Sequence, residues 1–374
     1  MSRLDSGNEI ERALDLVGPQ LAELVGRSPV PAAELAELAA QVAGQRCLIT
    51  GAGGSIGSSL ASLLARHCPR QLALVDNHEN SLFQLQRRLL STSVRADRVE
   101  FVLADVRNEK AMESLLLSDR PQVIFHLAAY KHVPIAQDWP GPFAEVNVLA
   151  GWNLLGLAAR YEVEKLVYSS TDKAVRPCNV YGATKRAMEL ALQAYGASGA
   201  FTQFVCARLV NVVGARGGVI ETFIRQACEG QPLTVTDAAM TRYWITEDEA
   251  LLLLMSAALW RGSSTTLMLV LQQPCSVVSV AQRLWDLLRG GPEPVPICPI
   301  GTRPGERLQE ELTYDHERLV AGDSPSIVEV KNLGPVRPSL SDMSIWIDRL
   351  RLLVDEQRDS EVREALFSFA RDFS

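Results

Sequence analysis

Leu48-Ile49-Thr50-Gly51-Ala52-Gly53-Gly54-Ser55-Ile56-Gly57 joins an apolar run at 46–50 to a helical pattern through a glycine loop. Gly51, Gly54 and Gly57 keep the G-x-x-G-x-x-G spacing. Such a loop turns tightly, lets backbone amides approach a pyrophosphate, and seats a helix on the preceding strand. Ser55 and Ile56 lie inside the loop and are counted with the glycines as cofactor-binding. Asp76 follows Gly57 by nineteen residues and ends a second apolar run. An acid in that place accepts hydrogen bonds from the adenosine ribose hydroxyls and repels a 2′-phosphate. Residues 77–80 contain no arginine to hold such a phosphate, so the expected cofactor is NAD and not NADP.

Outward from the loop, short apolar strands fit at 46–50, 71–75, 99–103, 122–127, 165–170 and 204–210, with helical stretches between most of them. That alternation predicts an α/β fold, a Rossmann-type doubly wound parallel sheet over residues 44–215. Asp105 and Val106 follow the third strand, where an adenine-binding acid and an apolar wall would lie; a helix N-cap is the plain alternative for Asp105. Ala128, just past the fourth strand, completes the expected cofactor edge. Beyond Gly214 proline and glycine become frequent, which predicts a smaller substrate lobe at 216–340. Within it 242–260 and 267–271 are expected to return to the sheet, and helices over 341–374 to close the lobe. Ahead of the main pattern, 8–26 and 31–42 have helical periodicity. Residues 1–43 are therefore expected to form a cap or a homo-oligomer contact, or to fold back on the chain's own core.

Composition narrows the function class. The 374 residues carry a formal charge of −7, with 47% apolar and 22% charged residues, enough for a sizeable core. No block of lysine or arginine exists to neutralise phosphates, which argues against a nucleic-acid partner. The start of the chain has neither a basic nor an apolar leader pattern, and the longest apolar run, 250–258, is broken by Ser256. The expectation is a cytoplasmic chain without a membrane span. Seven cysteines without a C-x-x-C pair read as reduced thiols, and no metal site is expected.

The chemistry concentrates in residues 166–185 (LVYSSTDKAVRPCNVYGATK). Tyr181 and Lys185 stand four apart and share a helix face. A lysine there can lower the phenol pKa and hold a nicotinamide ribose, making Tyr181 a base for a sugar hydroxyl. Thr171, ending the fifth strand, would share the bond to that hydroxyl. Asp172 and Lys173 follow at the carboxyl edge of the sheet, where open α/β folds bind ligands. An acid beside a base suits proton removal at one carbon and protonation of a leaving hydroxyl at the next; a surface ion pair is the plain alternative. Cys178 reads as a packing residue.

Six motifs in order then resemble the UDP-N-acetylglucosamine 4,6-dehydratases of the capsular polysaccharide biosynthesis type, within the extended short-chain dehydrogenase/reductases. They are residues 50–57, 125–134 (FHLAAYKHVP), 170–177 with 181–185, 208–216 (RLVNVVGAR), 240–243 (MTRY) and 301–307 (GTRPGER), inside a resemblance running from about Pro29 to Leu319. The resemblance implies a redox-neutral cycle. Tyr181 would deprotonate the sugar 4-hydroxyl, Lys173 would remove the C5 hydrogen, and Asp172 would protonate the departing 6-hydroxyl. The product would be a UDP-4-keto-6-deoxy-N-acetylhexosamine. Many long relatives carry a membrane-spanning N-terminal region, so this chain resembles their soluble catalytic module. Tyr181 matches the soluble C5-inverting enzymes and the flanking motifs match the longer, retaining ones, which leaves both C5 outcomes open.

For a UDP-sugar, Asn211, Arg216, Arg242 and Arg303 are the expected diphosphate donors, because a diphosphate needs cations and fork-like donors. Glu306, by its place in the family motif, would accept from the uridine ribose. Lys131, ahead of His132, is a candidate for the diphosphate or the sugar, and Asn147 either touches substrate or orders Lys185. Two rivals stand beside this reading: an epimerase of the same fold, and a dinucleotide-binding regulator without turnover. Lys173 discriminates against the first, and the complete Thr171, Tyr181 and Lys185 set against the second.

Overall fold

A computed structural model describes residues 3–373 apart from Cys68, Ser93, Ser263, residues 292–293, Asp323 and residues 335–336. The predicted thiol Cys68 therefore lies outside the described residues, as does Pro292 of the proline-rich stretch; among the described residues the other six cysteines form no disulfide. The chain forms two compact units. The first takes the residues up to Val30, Val210–Ala250 and Leu271–Glu310; the second takes Pro31–Leu209, Leu251–Val270 and the chain from Glu311 onward.

The second unit is built on one nine-stranded sheet. Its strands are β1 (Arg46–Thr50), β2 (Gln71–Asp76), β3 (Val99–Leu103), β4 (Val123–His126), β5 (Lys165–Thr171), β6 (Gln203–Leu209), β7 (Thr265–Leu269), β8 (Glu317–Ala321) and β9 (Ile327–Asn332). Their spatial order is β8-β9-β7-β6-β5-β4-β1-β2-β3. From β3 to β7 every pairing is parallel, and β9 and β8 add an antiparallel edge. Central parallel strands are covered on both faces, so they read as continuous apolar runs; Leu48, Ile124, Leu166 and Phe204 are fully buried there. The order reverses between β1 and β4, and the crevice at such a switch point is where open α/β sheets take ligands. The helices Leu340–Asp355 and Asp359–Asp372 pack in this unit, against the helix Val180–Ala197, through Met343, Ile347, Leu366 and Phe369.

The first unit has its own core. The helix Arg3–Val17 lies on the helices Val219–Cys228 and Val277–Arg289, with Ala13, Val17, Leu24 and Val25 buried among Phe223, Ile224 and Leu284. Three two-stranded pairs complete it: Asn211–Val212 with Trp244–Ile245, Thr241–Arg242 with Cys275–Ser276, and Leu233–Val235 with Ile297–Pro299.

This division differs from the sequence-derived boundaries. Residues 1–43 are not a separate cap, because the apolar face of the first helices is used inside the first unit, while Ala32–Gln41 packs on the helix Ser55–Arg66 of the second. Residues 242–260 do not return to the sheet; Glu247–Leu259 is helical, and only the 267–271 region does so, as β7. The helices after residue 340 belong to the sheet unit. β8 and β9 fall inside the predicted lobe, yet they extend the sheet. β8 is exposed at four of its five residues, so it shows no apolar run.

One polar cluster interrupts the sheet unit's core. Glu189, on the helix Val180–Ala197, accepts from Ser170 Oγ at 2.8 Å and from Arg208 Nε and Nη2 at 2.9 and 2.8 Å. Arg208 also reaches Glu317 at 2.8 Å, and Arg186 lies 3.3 Å from Glu189. Burial pushes the Glu189 carboxyl up, but the two arginines outweigh it and the net shift is downward. Its contribution is thus present above the ordinary glutamate range and is lost in acid. Removing one partner strands buried charge, which typically costs 3–5 kcal/mol. Glu189→Ala is expected to lose about 3–5 kcal/mol in a urea titration near pH 7; a loss below about 1 kcal/mol would show that the cluster contributes little.

Candidate active site

The glycine loop follows β1 and turns at Gly51, whose φ of +71° is left-handed. A Cβ there would sit 2.7 Å from the Ala128 amide, so β1 and the segment after β4 can approach only with glycine. A Cβ at Gly57 would run into the Gly51 carbonyl oxygen. The helix Ser55–Arg66 thus starts directly over the loop, with its N-terminal amides aimed along the strand's carboxyl end. Asp76 closes the second strand: one carboxylate oxygen accepts from Gly53 N and the other from His78 N, both at 2.8 Å. The residues thus fit a dinucleotide, with a glycine turn, a helix start and an acid tied to that turn.

After β3, Asp105 is held by its neighbours. Asp105 accepts from Asn77 at 3.1 Å and from the Arg107 side chain at 2.7 and 3.0 Å, which holds its carboxyl at about 2. It is not the helix N-cap; Asn108 fills that place by accepting from Ala111 N. Val106 is buried and Ala128 half-buried. Beneath the loop, His126 Nδ1 bonds Thr50 Oγ1 at 2.7 Å, and burial lowers the imidazole to about 3, so it stays neutral.

The strand end and the following turn bring Thr171, Asp172, Lys173 and Tyr181 together. Asp172 Oδ1 accepts from Thr171 Oγ1 and from Lys173 Nζ, each at 2.9 Å. Asp172 is fully buried, while the Lys173 side chain keeps 16% exposure. Lys173 is therefore the outward end of the pair, and this is no surface ion pair. The helix Val180–Ala197 begins against this turn. Asn179 caps it by accepting from Gly182 N at 2.7 Å, and a Cβ on Gly182 would strike the Lys173 carbonyl oxygen.

Burial raises the Tyr181 phenol; the Lys173 charge and a Thr171 hydrogen bond oppose this in part, and the net shift is upward. Lys185 follows Tyr181 by one turn of the same helix. Its Nζ donates to Ser169 O at 2.8 Å and lies 4.6 Å from the Tyr168 ring centre, and burial lowers its pKa to about 8. Asn147 meets neither Lys185 nor the surface. It lies in a π-helical turn, Glu145–Leu149, accepts from Tyr130 N at 2.8 Å, and donates to Tyr130 O at 2.9 Å and Thr184 Oγ1 at 3.1 Å. It thereby fixes the segment carrying the exposed Lys131 and His132 to the helix of Tyr181.

Asn211, Arg216, Arg242, Arg303 and Glu306 all belong to the first unit. Asn211 donates to Tyr243 O at 3.0 Å, Arg242 to Thr241 O at 2.8 Å, and Glu306 accepts from Arg303 N at 3.2 Å. Sequence reasoning missed Asn179, Gly182, Ser170 and Glu189. Glu189 had a legible signal, an acid four residues past Lys185 on the same helix face.

Over residues 47–332 the chain matches the family described as polysaccharide biosynthesis protein. It belongs to that family. A relative, the capsular polysaccharide biosynthesis protein CapD of Staphylococcus aureus, is 36% identical over 300 residues, covering 80% of this chain and 50% of CapD. This family member thus spans about half the length of that relative. A UDP-N-acetylglucosamine 4,6-dehydratase (inverting) of Campylobacter jejuni is 31% identical over 297 residues, covering 76% of this chain and 84% of the relative. A UDP-glucose 4-epimerase of Rickettsia rickettsii is 31% identical over 282 residues, with 74% and 80% covered. Among solved structures, Pen from Bacillus thuringiensis superposes with a TM-score of 0.72 at 27% identity, covering 80% of this chain and 92% of Pen. The expected fold class, a Rossmann-type short-chain dehydrogenase/reductase, is thereby met. No described helix is long and apolar enough to cross a membrane.

The glycine contacts generate a binding prediction. Gly57→Ala must displace the loop or the helix start, and each 1.4 kcal/mol of displacement is worth tenfold in affinity. NAD titrated into the variant and followed by calorimetry is expected to bind about tenfold or more weakly. Equal affinity would mean that the loop does not take the dinucleotide.

Proposed function

We propose that this chain is an NAD-dependent nucleotide-sugar 4,6-dehydratase acting on UDP-N-acetylglucosamine. The observation that carries the reading is the buried Asp172–Lys173 pair, joined to Thr171 and placed beside Tyr181. An enzyme that only moved hydrogen at C4 would need a tyrosine and its lysine, and nothing at C5 or C6. The dehydratase relative supports the substrate, and the CapD relative supports a place in polysaccharide synthesis.

Gly51, Gly54, Gly57 and Asp76 would hold NAD, with Ser55, Ile56, Asp105, Val106 and Ala128 around it. When bound, NAD supplies the acceptor for the C4 hydrogen and the donor that completes C6. Tyr181 takes the proton of the 4-hydroxyl, with Thr171 sharing the bond to that oxygen. A ketone at C4 makes the C5 hydrogen acidic, and Lys173 removes it. Moving the proton of the ion pair from Lys173 to Asp172 frees the amine to act as that base and gives Asp172 the proton with which the 6-hydroxyl leaves as water; the C5 proton taken up by Lys173 restores the pair. Lys185 holds positive charge near the nicotinamide ribose. Lys131, Asn211, Arg216, Arg242, Arg303 and Glu306 are assigned to the UDP-sugar, with Asn147 as the anchor of the Lys131 segment.

The direct test is incubation of the purified protein with UDP-N-acetylglucosamine in deuterated water, with and without added NAD, followed by mass spectrometry. The expected product has lost one water and gained deuterium at C5. Unchanged substrate mass would sink the substrate assignment, and a C4 epimer without loss of water would make the protein an epimerase. Lys173→Ala is expected to slow elimination about 100-fold or more, the usual size of a lost general base.

Burial of Lys185 sets the pH dependence. Its folded pKa of about 8 lies below the ordinary lysine value of 10.5, so its charge is full below pH 8 and lost as pH rises through that value. Elimination rates are expected to fall above about pH 8 in the native protein. In Lys185→Arg, whose guanidinium keeps its proton, any remaining activity is expected to lack that alkaline limb. An identical limb in both would detach it from Lys185.

A further inference from the structure

After its passage through the first unit, the chain re-enters the second at Glu311 and lies against the turn that carries Asp172 and Lys173. Tyr314 Oη donates to Ala174 O at 2.9 Å. Arg176, two residues on, pairs with both Glu311 and Asp315. Its φ of +40° is left-handed, a conformation that a side-chain-bearing residue keeps only when its surroundings enforce it. Thus three contacts from one segment grip the elimination turn, at its last residue and just beyond.

The grip is itself anchored from below. Tyr314 is 2% exposed, its ring lies 4.4 Å from the Arg186 guanidinium carbon, and it stacks on His316 at 5.2 Å. The Tyr314 amide donates to Glu317 at 3.0 Å. Glu317 is in turn held by Arg208, which also donates to Leu312 O at 3.0 Å. A phenol fixed at its amide, its ring and its hydroxyl is a rigid strut between the buried ion cluster and Ala174. On the opposite side, the close approach at Gly182 limits movement of the Lys173 carbonyl. Tyr181 and Lys185 are placed by their own helix, which meets Tyr314 at its ring, through Arg186, and not at its hydroxyl.

We infer that Tyr314 is a positioning residue for the elimination pair: its hydroxyl holds the Asp172–Ala174 turn so that Asp172 and Lys173 meet C5 and C6 in register. This rests on the dehydratase reading for what the pair does, but not for the contact itself. The strut bears directly on the proton transfers of elimination, and on removal of hydrogen at C4 only indirectly, through Lys173.

The test is Tyr314→Phe, which deletes one hydroxyl and keeps the ring, read in two ways. Hydrogen exchange is followed on the peptide covering residues 171–177, and steady-state rates are compared for UDP-N-acetylglucosamine deuterated at C4 or at C5. Expected are faster exchange in that peptide with the rest of the sheet unit unchanged, and a kcat lower by about 10- to 100-fold, the effect of a small misplacement of reacting groups. KM is expected to stay within about twofold, with a larger isotope effect at C5 and a smaller one at C4. Arg176→Gln is expected to give the same pattern in weaker form. Unchanged exchange in Tyr314→Phe overturns the inference, and so does faster exchange with an unaltered kcat or with isotope effects that do not shift toward C5. If the native protein eliminates no water, the functional reading has failed; exchange then decides the strut alone, faster exchange sustaining it and equal exchange refuting it.

Discussion

Glu189 is the buried carboxylate on which the sheet unit's working end depends. It accepts from Ser170, which precedes Thr171, and from Arg208 of the neighbouring strand, and it lies against Arg186 one residue past Lys185. A buried carboxylate is tolerable only when its lone pairs are taken and its charge is matched. Here that requirement ties β5, β6, the Tyr181 helix and the start of β8 to one point. Remote segments of the chain must therefore be correctly seated before the strand end can be.

From that anchor the site divides by function. The helix Val180–Ala197 presents Tyr181 and Lys185, and the turn after β5 presents Asp172 and Lys173. The two sets meet at Lys173, whose charge lowers the Tyr181 phenol against the effect of burial. In the proposed reaction one lysine would thus face both the oxidation and the elimination side. Lys185 instead rests on the Tyr168 face and a backbone carbonyl, in surroundings that make its charge costly.

Much of this was legible in the sequence, and what was not has physical causes. The predicted strand 46–50 is β1, and the glycine spacing became the loop against Ala128, because both patterns record local requirements of backbone and burial. The strands β8 and β9 were hidden in a proline- and glycine-rich stretch, and β8, an exposed antiparallel edge, needs no apolar run. The first helices looked detached because their partners, such as Phe223 and Leu284, lie some two hundred residues away. Polar partnerships were least legible: Tyr314 is 140 residues from Ala174, and no periodicity announces such a bond. The sequence offers Asn147 as a contact to substrate or to Lys185, but its partner, the Tyr130 backbone, could not be read from composition.

Migration of a label tests the central claim, one site that oxidises C4 and completes C6, most directly. UDP-N-acetylglucosamine carrying deuterium at C4 would be turned over once and its product examined by NMR. The account predicts deuterium on C6 of a 6-deoxy product, with a ketone at C4. Deuterium found only at C4, in either configuration, with the 6-hydroxyl intact, would contradict it.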